Sequence, residues 1–342
     1  MKLKVAIVGA TGAVGEELLR VMEERRFPVG ELLPMASERS DGRSVVFRGE
    51  PVKVARLDVE ALKQCDVVFL SAGASVSRAL APQLLAGRPR LYDNTSAFRL
   101  HPDVALVVPE VNPQRLTPTV RHAAVGNCTA ILLVLALAPL ERKFGLKRVV
   151  VSTYQAVSGA GRRALERLLA ELKQELAGQP LPTGAGAPHP FAFNCIPSIG
   201  EVDANASPED VEARTTGEER KVAQEIRRIL ERPDLPIVAT CVRVPVLRAH
   251  SESVLVELAD DKASLREVLA ALRESPGVEL RDDLGKGIVP TPRQGAGIDG
   301  IHVGRVRPGD RPGSFAFFLV GDQLRKGAAL TAVQLAELQF SR

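Results

Sequence analysis

Leu3–Val8 is a short, almost wholly apolar run that passes without a break into Gly9-Ala10-Thr11-Gly12-Ala13-Val14-Gly15. A buried strand, a glycine-rich turn and then a helical stretch at residues 16–24 form the opening of a doubly wound α/β fold. The case for this turn is steric and electrostatic. Glycine lets the backbone approach a pyrophosphate, and the helix N-terminus offers that anion its unpaired N–H groups and positive dipole end. Glycines alone would equally serve a structural strand-to-helix turn; the strand in front of them favours the nucleotide reading. The residues assigned to it are Gly9, Thr11, Gly12, Ala13, Val14 and Gly15.

The first third continues as alternating strand and helix, with strand candidates at 32–36, 67–71, 91–93 and 106–109. Each is a short apolar run ending in small or polar residues, the pattern of parallel strands buried on both faces. Ligands gather at the carboxyl ends of such strands. Ser71-Ala72-Gly73-Ala74 and Asp93-Asn94-Thr95-Ser96 are therefore expected at the crevice, with Ser71 and Gly73 toward the cofactor. The second strand ends in Ala36-Ser37-Glu38-Arg39-Ser40, where NAD-binding chains usually carry an acid for the ribose. Ser37, Arg39 and Ser40 suit a 2′-phosphate instead, which favours NADP over NAD, although Glu38 would repel that phosphate if it turned inward.

Gly126-Asn127-Cys128-Thr129 lies between a strand-like stretch, residues 122–125, and the apolar run 130–138. That order places the thiol at a helix N-terminus, where unpaired N–H groups and the helix dipole stabilise a thiolate. A nucleotide site and a poised thiol in one chain predict a dehydrogenase that works through a thioester. Beyond Cys128 the pattern changes. Residues 147–157, 237–246, 253–258, 302–306 and 314–320 read as longer, β-branched strands, with amphipathic helices at 163–176 and 218–230. These predict an α+β domain with a largely antiparallel sheet. Residues 178–190 read as an exposed loop, and 326–338 as a last helix.

Composition narrows the function classes. At 342 residues two domains are expected. The net charge of +4 is interspersed, and with no Trp and two Tyr there are few platforms for stacking bases, so nucleic acid is not an expected partner. Cys65, Cys128, Cys195 and Cys241 form no C-x-x-C pair, which argues against a zinc site or disulfide framework and fits a reducing compartment. No metal is expected. The longest apolar run, 131–140, falls far short of the roughly 20 residues of a membrane span. The expectation is a cytoplasmic chain without membrane or targeting segments.

A catalytic thiol needs an acid/base within hydrogen-bond reach and a group to receive the oxyanion. Among His101, His122, His189, His250 and His302, the best candidate is His250. It reads as part of a polar turn, His250-Ser251-Glu252-Ser253, just past a strand; a surface histidine would look the same. Gln155, in the strand-like Thr153-Tyr154-Gln155-Ala156-Val157, is a polar residue in need of a partner. Arg99, Lys221 and Arg243 are candidates for an anionic substrate. Glu218 and Lys221 share a helical face, as a plain surface ion pair would. Arg243 lies between Val242 and Val244, where an arginine is costly to bury without an anion.

Taken together, these residues resemble the aspartate-β-semialdehyde dehydrogenase family. The resemblance runs nearly end to end, through Gly9–Gly15, residues 36–40, 93–99, 126–128, 155–159, 216–221, Arg243-Val244-Pro245 with His250-Ser251-Glu252, and 322–329. It implies a glyceraldehyde-3-phosphate-dehydrogenase-like architecture: a Rossmann-like NADP-binding domain at 1–127, completed by a C-terminal helix at 324–342, and an α+β catalytic and dimerisation domain at 128–323. It implies the reaction of L-aspartate 4-semialdehyde, phosphate and NADP⁺ to L-4-aspartyl phosphate and NADPH, run biosynthetically in reverse by a homodimer. Carried onto this sequence, Cys128 is the nucleophile, His250 the acid/base, and Gln155 orients the substrate. Arg243 grips the substrate carboxylate and Glu218 its amino group, while Arg99, Lys221 and Asn94 hold phosphate. Ser158, Gly159 and Gln323 join the cofactor site. The chain departs from the family pattern at Thr129-Ala130, where Ser-Thr or Thr-Thr is commoner, at Gln323 in place of Asn, and at Asp41 in place of a small residue. N-acetyl-γ-glutamyl-phosphate reductase shares the architecture but places its cysteine in a Gly-Cys-Tyr-Pro-like turn. Glyceraldehyde-3-phosphate dehydrogenase carries a Ser-Cys-Thr-Thr-Asn run. A silent NADP-binding regulator would lack the nucleophile or the base, and this chain has both Cys128 and His250.

Overall fold

A computed structural model describes residues 2–38, 42–181, 189–202, 207, 209–210 and 214–340. Arg39, Ser40, Asp41 and residues 182–188 of the expected loop lie outside them. The chain divides into two compact units, Met1–Cys128 with Leu324–Arg342, and Thr129–Gln323.

In the first unit the chain runs β1 (Leu3–Val8), α1 (Ala13–Glu24), β2 (Val29–Ala36), the hairpin β3 (Ser44–Phe47) and β4 (Glu50–Lys53), β5 (Ala55–Arg56) and α2 (Val59–Lys63). It continues as β6 (Val67–Leu70), α3 (Ala74–Leu85), β7 (Arg90–Asp93), β8 (Ala105–Leu106) and β9 (His122–Ala124). The main sheet has the order β5-β2-β1-β6-β7-β9-β8, and every pairing is parallel. Its central strands are apolar without alternation because both faces are covered. On one face Val68, Leu70 and Leu91 pack with Leu80 and Leu84 of α3. On the other, Phe69 packs edge-on to Phe27 and tilted against Tyr92, and the Tyr92 hydroxyl donates to Gln339 at 2.7 Å. Gln339 belongs to the C-terminal helix Leu330–Phe340, which returns to this unit. The chain leaves β1 for β2 on one side and resumes at β6 on the other. This reversal opens a crevice at the carboxyl ends of β1 and β6.

The second unit opens with α4 (Cys128–Phe144), whose residues 129–140 are buried all round. It comprises β10 (Leu146–Ala156), α5 (Arg162–Leu176), α6 (Gly217–Ile229), β11 (Ile237–Val244), β12 (His250–Leu258), α7 (Leu265–Arg273), β13 (Val278–Leu280), the one-turn α8 (Pro292–Gly295), β14 (Ile301–Pro308) and β15 (Ser314–Gly321). The sheet order is β11-β10-β12-β15-β14-β13. It is mixed: β10 and β12, β12 and β15, and β14 and β15 pair antiparallel, but β11 and β13 join their neighbours parallel. Register sorts the side chains. Val149, Val151, Thr153 and Gln155 share the face that carries Cys241, Arg243, His250 and Glu252. Ser152 and Tyr154, on the other face, point the opposite way.

One expectation is corrected here. His250, Ser251 and Glu252 do not form a polar turn; they open β12, between β10 and β15, and none is more than 2% exposed. Their polarity mimics a turn because three hydrogen-bonding side chains in a row are rare inside a sheet. The actual turn lies at 245–249 and ends on Ala249, which adopts φ 74°.

Candidate active site

The first unit gathers its candidates at the carboxyl edge of the parallel sheet. Gly9 has φ 95°, and a Cβ there would meet the Ser71 carbonyl oxygen at 2.6 Å. A Cβ on Gly15 would lie 2.3 Å from the Gly9 oxygen. Glycine is thus required where the turn folds against the end of β6 and where α1 packs back upon the turn. α1 is capped by Gly12 with no side-chain hydrogen bond. α3 is likewise capped without a side chain, by Gly73 at φ 97°, and has no acid in its first turn. Two helix N-termini with free backbone donors, beside an open glycine, fit a dinucleotide's phosphates. Thr11, Ala13 and Val14 line the turn half-buried, and Ser37 is exposed at the end of β2. Glu38 is also exposed, with its carboxylate 3.9 Å from the Arg56 guanidinium.

The ends of β7 and β9 carry the next group. Asp93 is fully buried and accepts from the Thr95 N–H at 2.7 Å and the Ser77 hydroxyl at 3.2 Å, which fixes the loop that follows. Arg99 donates to the Asn94 carbonyl at 2.9 Å and the Val125 carbonyl at 2.8 Å. It therefore ties the Asn94 loop to the strand end from which Gly126-Asn127-Cys128 departs. Both polar atoms of the Asn94 amide are buried without a hydrogen-bond partner among the described residues. Such a group is costly unless a ligand or water meets it. Cys128, half-buried, is the first residue of α4.

The second unit carries its candidates on strands. Gln155 and Arg243 are paired across β10 and β11. The Gln155 oxygen accepts from the Thr153 hydroxyl at 3.0 Å, and its nitrogen donates to Glu218 at 3.1 Å. Glu218 is the second residue of α6, whose N-terminus is fixed by a Thr216/Glu219 capping box. Lys221 follows three residues later, half-buried. Arg243 is 8% exposed and donates to the Ala156 carbonyl at 2.7 Å.

The fully buried His250 accepts the Ala156 N–H at Nδ1 over 3.0 Å. That hydrogen bond leaves the proton of the neutral ring on Nε2. Burial, and then the charge of Arg243, push its pKa well below the usual histidine range. Nε2 has no partner among the described residues. A Cβ on Gly159 would come within 3.1 Å of it and within 3.3 Å of the Arg243 guanidinium, so the absence of a side chain there keeps room beside both groups. Gln323 secures the approach to His250. Its oxygen accepts from the Ala249 N–H at 2.8 Å and its nitrogen donates to the Ser158 hydroxyl at 2.6 Å, which in turn bonds the Leu247 carbonyl. The longer amide in place of Asn thus spans two loops and holds the left-handed residue just before the histidine.

Within each unit, then, the predicted residues converge: Asn94, Arg99 and Cys128 in the first; Gln155, Glu218, Arg243, His250, Ser158, Gly159 and Gln323 in the second. Sequence reasoning missed Glu252, which is buried on the same strand face as His250, and Gly327, whose position against Cys128 is described below. A lone acid in an assumed turn, or a glycine in a helix-forming stretch, carries no distinctive pattern.

The comparisons agree with this geometry. The family models for "Semialdehyde dehydrogenase, NAD binding domain" and "Semialdehyde dehydrogenase, dimerisation domain" match residues 4–118 and 137–326. The aspartate-semialdehyde dehydrogenase of Synechocystis is 43% identical over 341 residues, covering 99% of this chain and 98% of that protein. That of Bacillus subtilis is 40% identical, covering 98% and 96%. The crystal structure of aspartate semialdehyde dehydrogenase II from Vibrio cholerae superposes with a TM-score of 0.91 at 38% identity, covering 99% of this chain and 98% of that one. The chain belongs to the aspartate-semialdehyde dehydrogenase family.

Proposed function

We propose that the chain reduces L-4-aspartyl phosphate to L-aspartate 4-semialdehyde and phosphate, reversibly and with NADPH, in the biosynthesis of lysine, threonine, methionine and isoleucine. The observation that carries this reading is the half-buried Cys128 at the first position of α4, on a loop that Arg99 ties to Asn94. Support for the substrate comes from the Vibrio cholerae relative, 38% identical, whose structure is also described as complexed with ASA.

The Cys128 thiolate attacks the acyl carbon and expels phosphate, leaving a thioester. Arg99, Lys221 and Asn94 hold the phosphate, Arg243 the substrate carboxylate and Glu218 its amino group, with Gln155 orienting the reacting carbon. When bound, the nicotinamide cofactor supplies the hydride that reduces this thioester, or accepts it in reverse. In both steps negative charge gathers on the carbonyl oxygen, and the His250 Nε2–H is the donor that meets it. That oxygen never has to keep a proton. One collapse expels phosphate and the other expels the thiolate, and the proton consumed overall ends on phosphate. A neutral imidazole is therefore sufficient, which refines the acid/base role expected from the sequence.

NADP would be held by the Gly9–Gly15 turn, Ser71 and Gly73; Ser37 and, from the sequence, Arg39 and Ser40 would serve its 2′-phosphate, and Ser158, Gly159 and Gln323 its nicotinamide. We assign a homodimer to the open face of the mixed sheet. There Tyr154 and Val238 are 37% and 51% exposed, Tyr154 lies against Phe318, and the family's dimerisation domain covers this unit.

The test is phosphate-dependent reduction of NADP⁺ by aspartate semialdehyde, with wild type and Cys128→Ala side by side. Activity in the wild type and a loss of several orders of magnitude in the variant is the expected result. Folded wild type that binds NADP⁺ yet shows no turnover would overturn the substrate assignment.

A further inference from the structure

The helix expected at 326–338 does not begin as an α-helix. Arg325–Ala329 is a π-turn, in which the Ala329 N–H reaches back five residues to the Leu324 carbonyl at 3.0 Å. Such a turn inserts one residue into the helical path and disturbs the regular pairing of nearby carbonyls. Here the Lys326 carbonyl is met by the Thr331 hydroxyl at 2.7 Å. The turn's first two residues are cations, and both are anchored. Arg325 reaches Glu24 at 2.6 Å and Glu17 at 3.5 Å, both on α1. Lys326 is fully buried, bonds Glu110 at 2.7 Å and Gln334 at 2.9 Å, and the Gln334 amide also donates to Glu110. A buried lysine is expensive unless its charge is neutralised. Spending two charged anchors on a five-residue turn implies that its position matters.

What this position determines is the wall beside the thiol. A Cβ built on Gly327 would lie 2.8 Å from the Cys128 Cβ and 3.2 Å from its Cα. The nearer distance is one that carbon atoms do not sustain, and both contacts are to atoms that cannot swing aside. No other residue could therefore stand at 327 without moving Cys128 at the start of α4. Gly327 is not in a left-handed conformation, so close approach is the reason for glycine here.

We propose that the π-turn Arg325–Ala329 positions the Cys128 thiol, with Gly327 as the contact and Lys326, Arg325 and Thr331 as the anchors that hold it in place. The inference rests on Cys128 being the nucleophile, but it concerns where the sulfur is held and not which acyl group it takes. A displacement on the order of 1 Å at a reacting group costs about 100-fold in rate. Loss from mispositioning should fall on kcat, since the groups that bind substrate are untouched.

The decisive variant is Gly327→Ala, with Thr331→Val as a milder second change that removes only the hydroxyl on the Lys326 carbonyl. Two readouts are taken: kcat and KM, and the pH profile of iodoacetamide alkylation at Cys128, followed by peptide mass spectrometry. Alkylation needs no substrate, so it remains informative even if the aspartate semialdehyde assignment fails. For Gly327→Ala we expect kcat lower by about 100-fold, KM within a few-fold of wild type, and an altered alkylation rate and profile. Thr331→Val should move both in the same direction by less. A purely structural role would lower the melting temperature and leave alkylation of the folded protein unchanged. Folded Gly327→Ala with wild-type kcat and alkylation overturns the proposal. If Gly327→Ala does not fold, Thr331→Val decides, and a wild-type alkylation profile in it is equally fatal.

Discussion

The two units present functional groups in opposite ways. In the parallel-sheet unit the candidates sit beyond the strands: Gly9–Gly15 after β1, Ser71 and Gly73 after β6, Asn94 and Arg99 after β7, and Cys128 after β9. In the mixed-sheet unit they sit on the strands themselves, with Gln155 on β10, Arg243 on β11 and His250 opening β12. The cause is coverage. A parallel sheet buried on both faces has no face to spare, so its chemistry moves to the loops at one edge. A sheet whose inner face grades from Val149 and Val151 to Thr153 and Gln155 can place polar groups in the strand, provided each finds a partner. Loop-borne groups are held by contacts to the backbone at the strand ends, as Arg99 is, while strand-borne groups are held by side-chain partners within the sheet.

The sharpest contrast is between two cysteines. Cys128 opens a helix half-buried, whereas Cys241 is fully buried on β11, where desolvation first and then the charge of Glu218 push its thiol pKa up. Cys128→Ala should remove turnover by several orders of magnitude and leave the melting curve nearly unchanged. Cys241→Ala should leave kcat within a few-fold of wild type and lower stability modestly. Alkylation of the native protein at pH 8 followed by mass spectrometry should modify Cys128 and spare Cys241. Equal labelling of the two would dissolve the distinction.

Next in size is His250. If its Nε2–H is a fixed donor, His250→Ala should cost about 10²- to 10³-fold in kcat, the usual range for one oxyanion donor. His250→Gln, which can still present an N–H, should recover part of that loss. Because the folded-state pKa lies well below the usual histidine range, the ring is held neutral at and above neutral pH, and kcat should show no ionisation from it there. The stability argument has a definite sign. Once unfolded, the ring takes up a proton below about pH 6.5, so His250 disfavours the folded state as pH falls below that value and has no effect above it. Nitrogen NMR of labelled histidine tests the tautomer directly: protonated Nε2 and bare Nδ1 are expected across this range.

The same contrast decides what could be read from the sequence. The parallel unit was legible because apolar runs stop at small and polar residues where the strands stop; Val67, Leu91 and His122 were all placed on strands that the fold contains. Gln155 and Arg243 were legible as polar residues among β-branched neighbours. His250 was identified as a candidate but placed in a turn, since no local pattern distinguishes a buried polar strand from a polar loop; only pairing with β15, about 70 residues later, makes the difference. The short β5 and the hairpin β3–β4 left no signal, being too brief to show a period. Neither did the π-turn, because Gly327 looks like an ordinary interruption until the proximity of Cys128 is known.

A smaller effect separates the two arginines. In the proposed mechanism Arg99, on the loop unit, takes the phosphate, and Arg243, on the strand unit, takes the substrate carboxylate. Arg99→Met should raise the KM for phosphate by roughly 10- to 100-fold, the loss of a charge-assisted contact, with a lesser change for the semialdehyde. Arg243→Met should do the reverse. A common KM effect on both substrates from either variant would contradict the division of roles. Both variants should also lower the melting temperature, because Arg99→Met removes a donor from the Asn94 and Val125 carbonyls and Arg243→Met removes one from the Ala156 carbonyl.

The least visible effect in turnover belongs to Glu252, two residues from His250 on the same strand face. It is fully buried, both carboxyl oxygens lack a partner among the described residues, and burial pushes its pKa well above the usual carboxylate range. Burial therefore favours the protonated form of Glu252 in the folded protein, while the unfolded chain ionises it above about pH 4.3. The folded state binds the extra proton, so this residue erodes stability as pH rises from there toward its folded-state pKa. Glu252→Gln removes the ionisation and keeps the shape. Its melting temperature should exceed that of wild type at pH 8 and converge with it near pH 4, with kcat unchanged at pH 7. Had β12 been the exposed turn that its polar residues suggest, Glu252 would ionise freely and the substitution would move nothing at either pH.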